Sequence, residues 1–337
     1  MKAKYTITQK ITFSAMLLVL AVFSTMVFKL VSIPGLGFVR FSLTPAIVIY
    51  ASLSLGPLYG AIVGIGGDLI PALIEPISNG LGGSSINILI TIVYGLLGVC
   101  PWALEKLTKH FRSGLRKPWA IYVTLALILG ALAAVFFGSD LLDSGLNYVA
   151  KWVLLGVFFL LDVALCVGLH FTNKYFQKRI LDLTDIPSPN EIALISTICE
   201  IVLMVTLKSL AFYVYFMWMS GGSYKPLFTY LFASLLFASS PNILINTFAV
   251  SWMLIFTRRF LHNYGYPTVK EEGSVGSAAD EADEKAKKDG HVAINEEDED
   301  PEYLAAQKKA KIGWILFFSI LIALMIAAII VISVLKK

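Results

Sequence analysis

Apolar runs too long and too continuous for the interior of a soluble domain dominate this chain. They cover 10–32, 43–55, 57–75, 86–105, 118–138, 148–172, 191–218, 226–257 and 313–335, the second and third hinged at Gly56-Pro57. A helix needs roughly 20 apolar residues to cross a hydrocarbon core, and most of these runs supply them. They lack the alternation of a barrel strand, which excludes a closed barrel. Composition agrees: 57% of residues are hydrophobic and 15% charged, where a soluble domain carries about 25% charged residues. The expected fold is all-α, a polytopic membrane helical bundle of about nine crossings, two of them short.

Lysine and arginine in the short loops orient such a bundle. Lys2, Lys4 and Lys10 precede the first run, and Lys106, Lys109, Arg112, Arg116 and Lys117 follow the fourth. Lys174, Lys178 and Arg179 follow the sixth, and Arg258 and Arg259 end the eighth. An N-terminus inside the cell puts all four clusters in the cytoplasm and leaves 76–85 and 139–147, which have no Lys or Arg, outside. The plasma membrane is the expected location, the protein a multi-pass one with a cytoplasmic N-terminus. The opening "MKAKYTITQK" and the run to Ile33 read as an uncleaved first helix, because the run exceeds a signal-peptide core and lacks a small-residue cleavage site. From Lys270 to Glu302 there are thirteen acidic residues, four lysines and no aromatic residue. Such a stretch cannot bury enough apolar surface to fold, so 263–311 is expected to be a disordered acidic cytoplasmic linker. The last run, within 312–337, reads as a lipid-facing anchor helix.

"GPLYGAIVGIGGDLIPALIEP", from Gly56 to Pro76, breaks the apolar pattern with five glycines, three prolines and two carboxylates. Gly56, Gly60 and Gly64 stand four apart and Asp68 continues the row. Helices in lipid gain nothing hydrophobic by associating, so a ridge without side chains marks close packing by another helix or subunit. Asp68 inside a span points to a cavity or a partner. Gly66, Gly67 and Pro71 around it suggest a helix loosened near its outer end.

The loop "EPISNGLGGSSIN" offers hydrogen-bonding groups at Asn79, Ser84, Ser85 and Asn87. Two cations fall on the outer side beside aromatic residues: Arg40 between Phe38 and Phe41, and Lys225 near Trp218 and Tyr224. That pairing suits a flat ligand bearing carboxylates, and interface anchors would look the same. Ser239, Asn242 and Asn246 share one helix face beside Pro241, which should kink it, while Glu200 and Lys208 lie eight apart and may pair with each other or with neighbours. Asp162 and His170 are the remaining intramembrane titratable pair, in no recognisable relay. Cys100, Cys166 and Cys199 lie in apolar runs with no metal-ligand spacing and read as packing residues. Phosphate-loop, HExxH and GxSxG motifs are missing, so neither ATP hydrolysis nor enzymatic chemistry is expected. No cofactor, metal or nucleic acid is called for.

"VRFSLTPAIVIYASLSLGPLYGAIVGIGGDLIPALIEP" resembles the substrate-binding S component of energy-coupling factor vitamin importers, nearest the folate-type branch. Gly56-Pro57, Gly60, Gly64 and Asp68 fit that family's glycine segment, Arg40 its arginine, and "NGLGGSSIN" its outer loop; "YGLLGVCPWALEK" resembles the end of its fourth helix. The resemblance implies a six-helix subunit that captures a vitamin from outside and joins a coupling transmembrane protein and two cytoplasmic ATPases. It also implies a contact of small first-helix residues with the coupling protein, which Ala21 and Thr25 match approximately. On that reading 1–110 holds the first four core helices, 111–187 a two-helix insertion and 188–262 the last two. Family members are shorter, lacking the insertion, the linker and the last helix. The alternative class is a stand-alone ion-coupled secondary transporter, for which Asp162, Glu200 and Lys208 would serve; no inverted repeat supports it.

Overall fold

Lipid offers no hydrogen bonds, so each apolar run satisfies its backbone internally and becomes a helix. The computed structural model describes residues 7–30, 32–33, 36–40, 42–79, 87–109, 118–138, 148–179, 187–219 and 228–263. Phe41, Ser84, Ser85, Lys225, the acidic stretch and the run 313–335 lie outside them. Helix α1 (Ile7–Leu30) leads into a short antiparallel hairpin, β1 (Ser32–Ile33) and β2 (Leu36–Arg40), in which Ser32 pairs with Arg40. Then come α2 (Thr44–Leu55), α3 (Pro57–Asn79), α4 (Ile88–Thr108), α5 (Trp119–Gly138) and α6 (Tyr148–Arg179). Helices α7 (Pro189–Cys199) and α8 (Lys208–Met219) are joined by a π-helical segment, Glu200–Leu207, and α9 (Phe228–Asn263) follows. Seven spans are long and apolar enough to cross a membrane, α7 to α8 counting as one, and α2 is shorter. The protein is a multi-pass helical membrane protein.

Two features differ from the sequence expectation. The hairpin between α1 and α2 has no strong signal in the sequence. The other is α3, which is not loosened at Asp68: it runs through Pro71 to Asn79. Proline cannot donate to the carbonyl four residues back, which leaves the Gly67 oxygen open. The Thr25 hydroxyl donates to that oxygen from α1, at 3.3 Å. Helix α9 also continues through its proline, Pro241, and the freed Phe237 carbonyl accepts from Ser240 Oγ at 2.9 Å. At Pro101, inside α4, the next amide, Trp102 N, donates to Ser52 Oγ on α2 at 3.2 Å. Hydroxyls thus serve the carbonyls freed at Pro71 and Pro241 and the amide that follows Pro101.

The bundle has two apolar cores. In the first, α1 to α4 pack together and meet α7, the π-segment, α8 and α9. Its α1 stripe, Ser14, Leu17, Ala21 and Ser24, recurs every three or four residues, while Ile7, Ile11, Val19, Phe23 and Val27 on the same helix stay exposed. The second core joins α5 and α6 to α7 and α9. Helix α5 shows the same period, burying Ile121, Thr124, Ile128, Leu132 and Val135. Helices α7 and α9 contribute to both cores, as does α6, which places Phe176 in the first, while α5 belongs to the second. The start of α7 is fastened by a capping box: Ser188 Oγ accepts from Glu191 N, and Glu191 Oε2 accepts from Ser188 N.

A candidate solute site in the seam between the helix groups

The glycine row is the frame of the site. A Cβ on Gly60 would collide with the Gly98 carbonyl oxygen on α4 and with Ser52 on α2, and one on Gly64 with the Tyr94 carbonyl. The neighbour against the ridge is therefore α4 of the same chain, with α2 on its flank, and no second subunit is needed to explain it. Gly56 has another role: its φ of +104° turns the chain between α2 and α3, with nothing near its missing side chain.

Ala21 and Thr25, expected from the resemblance to contact a coupling protein, also pack against α2 and α3 of their own chain. Ala21 is fully buried, and the nearest atom to a Cβ built on Gly67 is its methyl, at 3.2 Å. Thr25 Oγ1 lies 2.8 Å from Thr44 Oγ1 on α2 as well as bonding to Gly67. Both residues help close the junction of α1, α2 and α3.

Asp68, one turn beyond Gly64, is held by α4. Its Oδ2 accepts from Thr91 Oγ1 at 2.7 Å. One turn before Thr91, Asn87 caps α4, its Oδ1 accepting from Leu89 N at 3.1 Å and Ile90 N at 3.4 Å. The cap occupies the Asn87 oxygen expected for a ligand, while its buried amide nitrogen has no partner among the described residues. One turn after Asp68's partner comes Tyr94, and Lys208 Nζ lies 5.4 Å from the centre of its ring. Asp68 and Glu200 both lie within electrostatic reach of Tyr94, and Lys208 within reach of Glu200.

Glu200 begins the π-segment, and its Oε1 accepts from Asn246 Nδ2 on α9 at 2.6 Å. One turn earlier on α9, Asn242 Oδ1 accepts from Ser42 N at 3.3 Å. Arg40 and Phe38 belong to β2, two and four residues before Ser42, and β2 packs on α9. Asn79 is the last residue of α3 rather than part of a loop.

Of the predicted residues, the structure brings Asp68 and Asn87 together through Thr91 and sets the strand bearing Phe38 and Arg40 against α9. Phe41, Ser84, Ser85 and Lys225 fall outside the described residues. Sequence reasoning missed Thr91 and Tyr94, although both repeat at helical spacing from Asn87 on the face that carries Gly98. Glu200 and Lys208, expected to pair with each other or with neighbours, both engage neighbours: Glu200 bonds Asn246 and Lys208 lies over Tyr94, within electrostatic reach of Glu200.

The result is a line of polar side chains between α3–α4 on one side and the π-segment, α8 and α9 on the other. The seam thus carries one cation, Lys208, over the Tyr94 ring, with Asp68 and Glu200 within electrostatic reach of that ring, and Lys208 is the group there that could attract an anion. Among the described residues no group of three His, Cys, Asp or Glu could hold a metal. Elsewhere, Tyr122 Oη lies 2.8 Å from His170 Nδ1, so His170 is engaged with α5 and away from the seam. No family model, curated protein or solved structure matches the chain.

Proposed function

We propose that this protein captures a small, flat, anionic solute of the folate kind from the outer face of the plasma membrane, as the binding subunit of an energy-coupling-factor vitamin importer. A coupling transmembrane protein and two cytoplasmic ATPases would supply the driving force, and the chain itself performs no chemistry. The observation that carries this reading is Lys208 placed over the Tyr94 ring in the seam. Its acids are already engaged, Asp68 by Thr91 and Glu200 by Asn246. The strand bearing Arg40 lies against α9 nearby, within reach of a carboxylate of the same solute in this reading. With the N-terminus in the cytoplasm, the end of the bundle where α3 finishes and α4 begins faces outward. A coupling protein would then have to use the exposed row of α1, Ile11, Val19 and Phe23. A second reading, a self-sufficient ion-coupled transporter, draws on the intramembrane residues Asp162, Glu200 and Lys208.

A panel of labelled vitamins offered to the purified chain, without nucleotide or ion gradient, separates the two. One vitamin should bind, and Lys208→Ala and Arg40→Ala should each weaken it about tenfold or more, as loss of a charge-assisted bond requires. Binding that appears only with a proton or sodium gradient would abandon the importer reading for the second.

A further inference from the structure

The second core contains an acid that the seam does not use. Asp162 on α6 is fully buried. Neither of its carboxylate oxygens has a hydrogen-bond partner among the described residues. Its neighbours on the helix, Phe158, Leu161, Leu165 and Cys166, all belong to the apolar cluster.

Helix α6 packs against α5, α7 and α9, and none of their described side chains presents a counter-charge. Helix α5 has no charged residue, and its one titratable side chain, Tyr122, is bonded to His170 two turns further along α6. Helix α7 brings Glu191, committed to the capping box, and Cys199, whose thiol meets Cys100. Helix α9 has no charged residue from 231 to 257. On α6 itself, Cys166 is one turn away, and the nearest lysine before Asp162, Lys151, is eleven residues back, about 16 Å along the helix.

A carboxylate ion in that place would forfeit its hydration with nothing to replace it, and buried acids meet that cost by neutralisation. A metal cation needs several oxygen ligands, and among the described residues no group of three His, Cys, Asp or Glu could hold one. A proton needs a single oxygen. We propose that Asp162 is an intramembrane proton-binding site. In the packed bundle one carboxylate oxygen holds a proton taken from water, and the O–H bond breaks, returning the proton to water, when α6 moves far enough to admit it. The site lies in the second core, apart from the seam, and does not depend on which solute is carried.

Infrared spectra of the full chain in lipid nanodiscs near neutral pH test this directly. The difference between wild type and Asp162→Asn should contain the C=O stretch of a protonated carboxyl group, shifted in heavy water. A difference containing only carboxylate stretches would overturn the proposal. The amide variant should elute and melt like the wild type, since it replaces a neutral group of the same shape. If it fails to fold, wild-type chain labelled with carboxyl-13C aspartate supplies the same readout, and absence of a labelled protonated band is equally fatal. Exchanging choline for sodium at constant ionic strength should leave the melting temperature unchanged; a sodium-specific rise would give the site to a metal cation instead.

Discussion

Single residues in this protein divide by what lies against them. Gly60, Gly64 and Gly98 are needed because two backbones nearly touch; this packing replaces the hydrophobic effect that lipid abolishes. Gly60→Ala should therefore destabilise the bundle by about 1–3 kcal/mol, the usual cost of overpacking. Gly130 on α5 meets nothing within 4 Å, so Gly130→Ala should be neutral or stabilising by up to about 1 kcal/mol, from helix propensity alone. Gly56 also has open space, yet its positive φ makes Gly56→Ala cost about 1–2 kcal/mol. Thermal unfolding of the three variants in one detergent checks the order. If Gly60→Ala melts with Gly130→Ala, the contact between α3 and α4 is not as described. The sequence shows the spacing of these glycines but not the neighbour, because a four-residue repeat looks the same against a helix of its own chain or of another.

The helices illustrate how far periodicity carries and where it stops. The spans of α1 and α5 were legible in advance, but the face each buries was not, because both helices are apolar nearly all round. The continuity of α3 was not, because Pro71 and its flanking glycines argue locally for a break. A hydroxyl 42 residues earlier in the chain restores the bond partner, and no local window contains it. Thr25→Val keeps the shape and removes the donor, so α3 should lose about 0.6–1.7 kcal/mol, the range of hydrogen bonds between helices in lipid. Amide exchange should rise at Ala72 and beyond on α3 while α5 stays unchanged. Unaltered exchange there would mean that the Gly67 carbonyl needs no substitute partner. The π-segment belongs to the same class of feature. Its wider turn starts at Glu200, where that side chain meets Asn246 on another helix, and π-turns often mark functional sites. No propensity in "EIVLMVTL" announces it.

At the scale of the whole molecule, α4 and α7 tie the first four helices to the rest. The Cys100 and Cys199 thiols meet across this junction, whereas Cys166 lies in the other core. Mild oxidation in the membrane should therefore join Cys100 to Cys199 within one chain and leave one of the three cysteines titratable. Three free thiols after oxidation would contradict the contact between the two groups. The sequence by itself determined that this protein is a membrane bundle, where its spans run and which polar residues they carry. Those outcomes follow from composition and local spacing, since lipid forces every span to close its own backbone bonds. Only the tertiary structure decided that Asp68 meets Thr91, that Lys208 covers Tyr94, that Ala21 and Thr25 pack against α2 and α3 and that Asp162 has no hydrogen-bond partner among the described residues. Each of those depends on which helix lies beside which and at what register, and small residues permit close approach without specifying the neighbour.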